Sequence, residues 1–243
     1  AKALEALVPV DVIDLPVGKQ RYGLLTNDEG GIRDDLMIGN LGDRLLLVIN
    51  AACKHEDIAY MRAALPADIG LDVLSDHALL ALQGPEAAAV LARFAPAIDD
   101  MVFMDTRAVT VAGVACTVSR AGYTGEDGFE ISVPAQHAEA LARKLLEQPE
   151  VAPIGLGARD SLRLESGLCL YGHDIDTRTT PAEASLAWAI SKVRRANGAR
   201  AGGFPGADII LEQLASRQPT RQRVGLQAQG CAPVREGTTL VNE

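Results

Sequence analysis

Several motifs that usually reveal an enzyme class are missing from this 243-residue chain. It contains no Gly-x-Ser-x-Gly elbow, no phosphate-binding loop and no His-Glu-x-x-His pair, so hydrolase, nucleoside triphosphatase and metalloenzyme functions gain no support. The cysteines, Cys53, Cys116, Cys169 and Cys231, are widely spaced, and the four histidines are equally dispersed. This spacing predicts neither a metal site nor a disulfide framework, and it favours a reducing, interior compartment.

Long apolar runs and an excess of positive charge are also absent. No run approaches the roughly 18 residues that span a bilayer, and no basic segment followed by an apolar one indicates a secretion signal. The net charge of -9 disfavours non-specific binding to nucleic acid or to membrane surfaces. With 48% hydrophobic and 23% charged residues, the composition is typical of a globular protein.

The first part of the chain predicts an antiparallel meander. Strands are expected at 20–25 and 32–39, joined by a turn at 27–31 that is rich in Asn, Asp and Gly. The apolar run at 45–50 is typical of a strand that is covered on both faces. A helix is expected from Lys54 to Leu65.

The next part alternates short strands with helices. Strands are expected at 78–82, 109–112, 115–119 and 129–133, with helices at 85–94, 136–147 and 157–166. We interpret the stretch from about residue 53 to 147 as a βαββαβ unit set inside the larger meander. A new strand is expected to begin at Arg223, which places a boundary near residue 220.

The segment from Gly122 to Glu130 is the most informative stretch. It places three glycines, a tyrosine and three carboxylates in nine residues, directly after a strand. Glycines let a ligand approach the main chain closely, Tyr123 can stack on a flat ring, and Glu130 opens the next strand. The segment fits a site for a planar, nitrogen-rich heterocycle, and it fits equally well a hairpin turn with solvated acids.

Two adjacent aspartates, Asp34 and Asp35, lie inside an apolar strand. Since successive strand side chains point to opposite faces, one of them must face inward, where an unpartnered carboxylate costs several kcal/mol. A functional role is favoured over capping of the preceding turn.

Cations appear at two further places. Arg159 lies in the first turn of a helix, which is unfavourable for the helix dipole and suggests an anionic or carbonyl partner, although a salt-bridged helix is the alternative. Lys192, Arg194, Arg195 and Arg200 form a basic cluster that is either a solvated run or a docking surface for an acidic partner. Trp188, the only tryptophan, is interpreted as a core residue rather than a pocket wall.

Five ordered motifs together resemble the T-protein family of the glycine cleavage system. The resemblance rests on the segments 30–36 (GGIRDDL), 82–85 (LQGP), 122–130 (GYTGEDGFE), 157–165 (GARDSLRLE) and 170–175 (LYGHDI). It runs essentially from end to end of the chain.

The resemblance implies a tetrahydrofolate-dependent aminomethyltransferase. Such an enzyme takes an aminomethyl group from the lipoyl arm of H protein, releases ammonia and passes the one-carbon unit to tetrahydrofolate, with no metal required. By resemblance, Asp35 is the catalytic residue beside the folate. Other folate-site positions match Tyr123, Glu130 and Arg159, and further wall positions match Tyr22, Val48 and Asn50. The docking surface for H protein is predicted at Lys192, Arg194 and Arg195.

The implied fold is α+β with mainly antiparallel sheets. Residues 1–52 and 148–220 would form the folate-binding core, 53–147 a ferredoxin-like insertion, and 221–243 the start of a C-terminal β-domain. We expect the chain to be a fragment that lacks an N-terminal segment and most of that β-domain. The expected location is the cytoplasm in a bacterium or the mitochondrial matrix in a eukaryote.

Two alternatives share the same module. One is the folate-binding part of a dimethylglycine or sarcosine dehydrogenase, although the chain has no dinucleotide-binding fingerprint. The other is a non-transferase relative linked to iron–sulfur maintenance, whose Lys-Gly-Cys-aromatic-Gly motif is not matched at 167–173. A purely structural role is the third alternative.

Overall fold

The computed structural model describes residues 1–217, 219–227, 234 and 237–239. Its seven strands are β1 Gln20–Thr26, β2 Ile32–Asn40, β3 Leu45–Ile49, β4 His77–Gln83, β5 Thr106–Val111, β6 Val114–Ser119 and β7 Gly128–Pro134. Its six α-helices are α1 Lys2–Glu5, α2 Lys54–Ala64, α3 Ala87–Ala92, α4 Ala135–Leu146, α5 Leu156–Glu165 and α6 Ala207–Ser216. Short 3₁₀ turns lie at 96–98, 187–189 and 192–194.

The first sheet is the predicted antiparallel meander, in the order β1-β2-β3. The predicted turn between β1 and β2 is confirmed: the side-chain Oδ1 of Asn27 accepts from the Gly31 backbone N–H at 2.7 Å, and Gly30 adopts a φ of 80°. Strand β3 lies at the sheet edge, and all of its residues are only half-buried. The expectation that this apolar run is covered on both faces is therefore wrong, because an apolar run does not distinguish an edge strand from a central one.

The second sheet has the order β4-β7-β6-β5 and is antiparallel throughout. Each predicted strand and helix of this unit is confirmed, but the βαββαβ order is not. The glycine-rich loop at 120–127 joins β6 directly to β7, its antiparallel neighbour, and leaves no room for a helix between them. Helix α4 instead follows β7, so the unit runs β-α-β-β-β-α.

The hydrophobic core is divided among three clusters. One consists of buried apolar side chains between residues 82 and 145, packed around the second sheet. A second joins the N-terminal segment to strands β1 and β2. Met61 of helix α2 is buried in this second cluster, against which Leu65 and Leu71 also pack. Helix α2 thus belongs with the first sheet, and the start of the inserted unit moves from residue 53 to about residue 76. The third cluster packs the remaining face of the first sheet against residues 169–210.

The C-terminal stretch differs from expectation. Residues 222–227 form no strand, and the Arg223 backbone N–H donates to the Glu183 carbonyl at 2.7 Å. The rest of the predicted C-terminal domain start lies largely outside the described residues, as does Cys231. Within the described residues, no helix has both the length and the apolar character needed to cross a membrane.

Candidate functional site

Asp34 and Asp35 point to opposite faces of the first sheet, as strand alternation predicts. Asp34 is 0% exposed, and Asp35 is half-buried. Asp34 faces the side on which Leu36 and Ile38 meet helix α2, while Asp35 faces the side of Tyr22. Both carboxylates are therefore placed by the pleat of β2 itself.

Three of the predicted site residues converge around Asp35. The Tyr22 hydroxyl donates to Asp35 Oδ2 at 2.9 Å, and the Asn50 side-chain Nδ2 donates to Asp35 Oδ1 at 2.7 Å. The strand register explains the meeting, because Tyr22 and Val48 both lie opposite Met37 on its two neighbouring strands. Val48 is half-buried on the same sheet face.

Burial shifts the titration of this group. Desolvation raises the pKa of Asp35 above its usual value, and the hydrogen bonds from Tyr22 and Asn50 only partly offset that effect. Desolvation and the neighbouring Asp35 charge likewise raise the pKa of Tyr22. Asp35 is thus a carboxyl group held in place by two neutral donors in a poorly solvated position.

Trp188 extends this group and was misinterpreted from the sequence. Its side chain is 61% exposed, and its ring centroid lies 5.1 Å from that of Tyr22, with the planes tilted by 32°. It is therefore an exposed aromatic side chain beside Tyr22, the donor to Asp35, rather than a core residue. A lone tryptophan in an irregular segment carries no periodicity that would have indicated this position.

The glycine-rich loop is held by a glutamine from another motif. Gln83, at the end of β4, donates through Nε2 to the carbonyls of Ala121 and Phe129 at 3.0 and 3.3 Å. A Cβ at Gly122 would lie 1.6 Å from Gln83 Oε1, and one at Gly128 would lie 2.6 Å from Gln83 Cδ. The glycines are thus required because the loop closes directly over this side chain.

Three predicted folate-site residues lie close together, one from the loop, one from β7 and one from α5. The Arg159 guanidinium carbon lies 4.5 Å from the centroid of the Tyr123 ring, a cation–π contact. The ring is neither the anionic nor the carbonyl partner that the sequence suggested for this cation. Glu130 is half-buried on central strand β7, and its side-chain carboxyl accepts no hydrogen bond within the described part of the chain. Desolvation raises the pKa of Glu130, although the positive charge of Arg159 partly opposes the shift.

A hydrogen bond connects the loop to the surroundings of Asp35. The Tyr123 hydroxyl donates to the Cys169 carbonyl. Cys169 is buried in the third hydrophobic cluster, and Tyr22 packs against that same cluster. Desolvation raises the pKa of Tyr123 to about 12, and the Asp35 charge contributes to the shift. All six predicted folate-site residues and Asp35 therefore belong to two neighbouring groups.

The predicted docking surface is contradicted for Arg194. This side chain is 5% exposed and forms an ion pair with buried Glu5, with Nη1 at 3.1 Å from Glu5 Oε2. Arg195 donates to the carbonyls of Ile190 and Ala187 at 2.8 and 2.7 Å, while Lys192 is exposed. Arg194, together with Arg200, instead holds the N-terminal segment, because a buried cation needs an internal acceptor.

Within the described residues, no three His, Cys, Asp or Glu side chains are grouped so as to hold a metal ion.

Comparisons with known proteins match most of the chain. The family described as the GCVT N-terminal domain matches residues 1–194. The mitochondrial aminomethyltransferases of Dictyostelium discoideum and Homo sapiens are 45% and 48% identical, and each alignment covers 99% of this chain. The chain spans 62% and 60% of the lengths of these two relatives.

A solved structure agrees with the fold. The crystal structure of glycine cleavage system aminomethyltransferase T from Bartonella henselae superposes with a TM-score of 0.77 at 41% identity. The match covers 88% of this chain and 58% of that one. Because the family match spans most of the residues and includes every side chain assigned to the site, this chain belongs to the GCVT N-terminal domain family.

Proposed function

We propose that this chain is the folate-binding part of an aminomethyltransferase of glycine cleavage. The observation that carries the proposal is the Asp35 carboxyl, which accepts hydrogen bonds from Tyr22 and Asn50. The neighbouring group around Tyr123 adds Arg159 and the Glu130 carboxyl, which accepts no hydrogen bond within the described residues. The names of the relatives favour this function over the dehydrogenase and iron–sulfur alternatives. The complete activity is proposed for the longer protein that such relatives represent.

The arrangement fits the chemistry of a reduced pterin. A pterin is flat and carries a carbonyl together with amino and ring N–H donors. Glu130 would accept from those donors, which would supply the partner that this desolvated carboxylate lacks within the described residues. Arg159 would donate to the carbonyl, and the Tyr123 and Trp188 rings offer flat surfaces against which rings can stack.

Asp35 would act on the folate nitrogen that attacks the one-carbon unit. In the proposed reaction the aminomethyl C–N bond breaks to release ammonia, and the C–S bond breaks to leave a lipoyl thiol. Two new C–N bonds join the methylene carbon to the two folate nitrogens, so no oxidant or reductant is needed. A carboxylate fixed by two donors would orient the nitrogen and stabilise the positive charge that develops as ammonia leaves.

The proposed partners are tetrahydrofolate, as co-substrate, and lipoylated H protein. The H-protein proposal is supported by the glycine cleavage function in the name of the Bartonella henselae relative. Of the predicted docking residues, only Lys192 presents an exposed charge. The proposed location is the mitochondrial matrix for a eukaryotic source, which agrees with the names of the relatives, and the cytoplasm for a bacterial one.

The proposal can be tested by calorimetric titration of 5-formyltetrahydrofolate, a stable folate, into this chain and its variants. We expect Asp35→Asn and Glu130→Gln each to weaken binding by about tenfold or more, since each removes a charge-assisted hydrogen bond worth about 1.5–3 kcal/mol. Asp68→Asn is the matched control, because Asp68 is exposed. Equal affinity of Asp35→Asn and the unaltered chain would contradict the assignment of Asp35, and an absence of binding by the unaltered chain would contradict the folate site.

A further inference from the structure

A second buried carboxyl lies behind the Asp34–Asp35 pair. Asp57, in the first turn of helix α2, is 2% exposed and makes a side-chain hydrogen bond with the carboxyl of Asp34, which is 0% exposed. Among the described residues, no donor reaches the buried Oδ2 of Asp57. Two carboxylates in contact away from water cannot both be charged without a large cost, so the contact implies a shared proton.

The groups that face Asp57 from the surrounding elements do not remove this conflict. Arg33 of β2 is the opposing positive charge, but its guanidinium carbon lies 4.3 Å from the Tyr60 ring centroid, and its Nε is buried without a described partner. Glu56 on the same helix adds negative charge. Cys53 and Tyr171 also lie close enough to be affected: burial raises the pKa of each, and the negative charges of Asp34 and Asp57 raise it further.

The balance of these effects favours a proton on Asp57. Desolvation, followed by the hydrogen bond and the charge of Asp34, raises the pKa of Asp57 from its usual 3.8 to about 8, against the opposing effect of Arg33. At neutral pH, Asp57 is then a neutral acid whose O–H donates to Asp34.

Asp34 in turn holds Asn50. Asp34 Oδ2 accepts from the Asn50 backbone N–H at 3.2 Å, and Asp34 Oδ1 accepts from Asn50 Nδ2 at 2.8 Å. The same Nδ2 donates to Asp35 Oδ1 at 2.7 Å. Since an amide nitrogen carries two hydrogens, one serves each aspartate, and the orientation of the Asn50 amide depends on Asp34 remaining an acceptor.

We propose that Asp57 is a positioning residue for Asp35, acting through Asp34 and Asn50. By carrying the proton, Asp57 leaves Asp34 free to accept from both Asn50 donors, and Asn50 then fixes Asp35 in the site. The chain of contacts joins helix α2 to Asp35, which points to the opposite side of strand β2 from Asp34. Only the last step, the effect on folate, rests on the proposed function.

The position of Asn50 can be measured without any ligand, by NMR hydrogen exchange of its side-chain amide. Asp57→Asn keeps a donor toward Asp34 but cannot titrate, whereas Asp57→Ala removes the donor. We expect Asp57→Ala to accelerate Asn50 side-chain exchange about tenfold or more at pH 7, and Asp57→Asn to leave it within about threefold of the unaltered chain. Unchanged exchange in Asp57→Ala would overturn the proposal, and Asp68→Asn serves as the exposed control.

The proton itself has a separate signature in thermal unfolding. In the folded state Asp57 retains a proton that the unfolded chain releases near pH 4. Its contribution to the free energy of unfolding is therefore largest below about pH 4 and is lost progressively as the pH rises to about 8. Asp57→Asn should remove this part of the pH dependence. If the melting temperatures of Asp57→Asn and the unaltered chain change in parallel over that range, the shared proton is refuted.

Folate titration completes the test. Asp57→Ala is expected to weaken 5-formyltetrahydrofolate binding about tenfold, with Asp57→Asn restoring most of it. Altered exchange at Asn50 combined with unaltered folate affinity would retain the positioning of Asn50 and overturn its extension to Asp35. A lack of folate binding by every chain would instead count against the proposed function alone.

Discussion

The buried carboxylate of Glu5 offers the sharpest test of the structure, because five donors converge on it. Its Oε1 accepts from the backbone N–H groups of Val12 and Ile13, both at 2.9 Å, and from Arg200 Nη2 at 3.3 Å. Its Oε2 accepts from Arg194 Nη1 and Arg200 Nε, both at 3.1 Å. This network fastens the N-terminal segment to the stretch at 194–200, which the sequence had suggested to be a docking surface.

The Glu5→Gln substitution keeps the size of this side chain but removes its charge. Whichever way the amide turns, its NH₂ group faces either two backbone donors or two guanidinium groups, so hydrogen bonds are lost. In both orientations the buried Arg194 also loses its counter-charge. Breaking a buried ion pair in this way costs about 3–5 kcal/mol. For a chain of this size, a loss of 1 kcal/mol lowers the melting temperature by about 2–4 °C, which gives a decrease of roughly 6–20 °C.

Thermal unfolding followed by circular dichroism measures this decrease. The matched control is Glu139→Gln, because Glu139 also pairs with an arginine, Arg143, but both side chains are exposed, at 79% and 74%. A surface pair of this kind contributes about 0–1 kcal/mol, so the control should shift the melting temperature by at most a few degrees. Equal melting temperatures for the two variants would refute the buried network and restore the basic cluster as a free surface.

Two further predictions concern the loop and the aromatic wall. Gly122→Ala should destabilise the fold by about 1–3 kcal/mol in chemical denaturation, because its Cβ would lie 1.6 Å from Gln83 Oε1. Gly157→Ala is its control and should stabilise the fold by about 0.5–1 kcal/mol, because that position is helical and has no atom within 4 Å of the added Cβ. Trp188, the single tryptophan, should change its fluorescence emission when 5-formyltetrahydrofolate binds, since its exposed ring lies against Tyr22 in the proposed site. An unchanged emission alongside calorimetric binding would place the ligand elsewhere.

The strands and helices were largely predictable because their signals are local. Alternation and apolar runs located every strand of both sheets to within a few residues, and the Asn-Asp-Glu-Gly-Gly run located the first turn. The predicted strand at Arg223 failed, since a short apolar stretch does not show whether a pairing partner lies beside it. The same limitation explains β3, whose apolar run turned out to lie at a sheet edge.

The candidate site was predictable only in part. An aspartate pair inside an apolar strand indicated an inward carboxylate, and strand alternation alone placed Asp34 and Asp35 on opposite faces. Asp57 gave no such signal, because an acid in the first turn of a helix is also what the helix dipole favours. Its contact with Asp34 depends on how helix α2 packs on the sheet.

By itself, the sequence determined the periodicities, the turn positions and the residue types available for chemistry, all of which depend on neighbours a few positions away. The tertiary structure decided which of those residues meet. Arg194, expected at the surface, is buried and forms an ion pair with Glu5. Trp188, expected in the core, is exposed beside the candidate site. These outcomes depend on contacts between segments more than a hundred residues apart, and desolvation gives each contact a free energy that no local pattern contains.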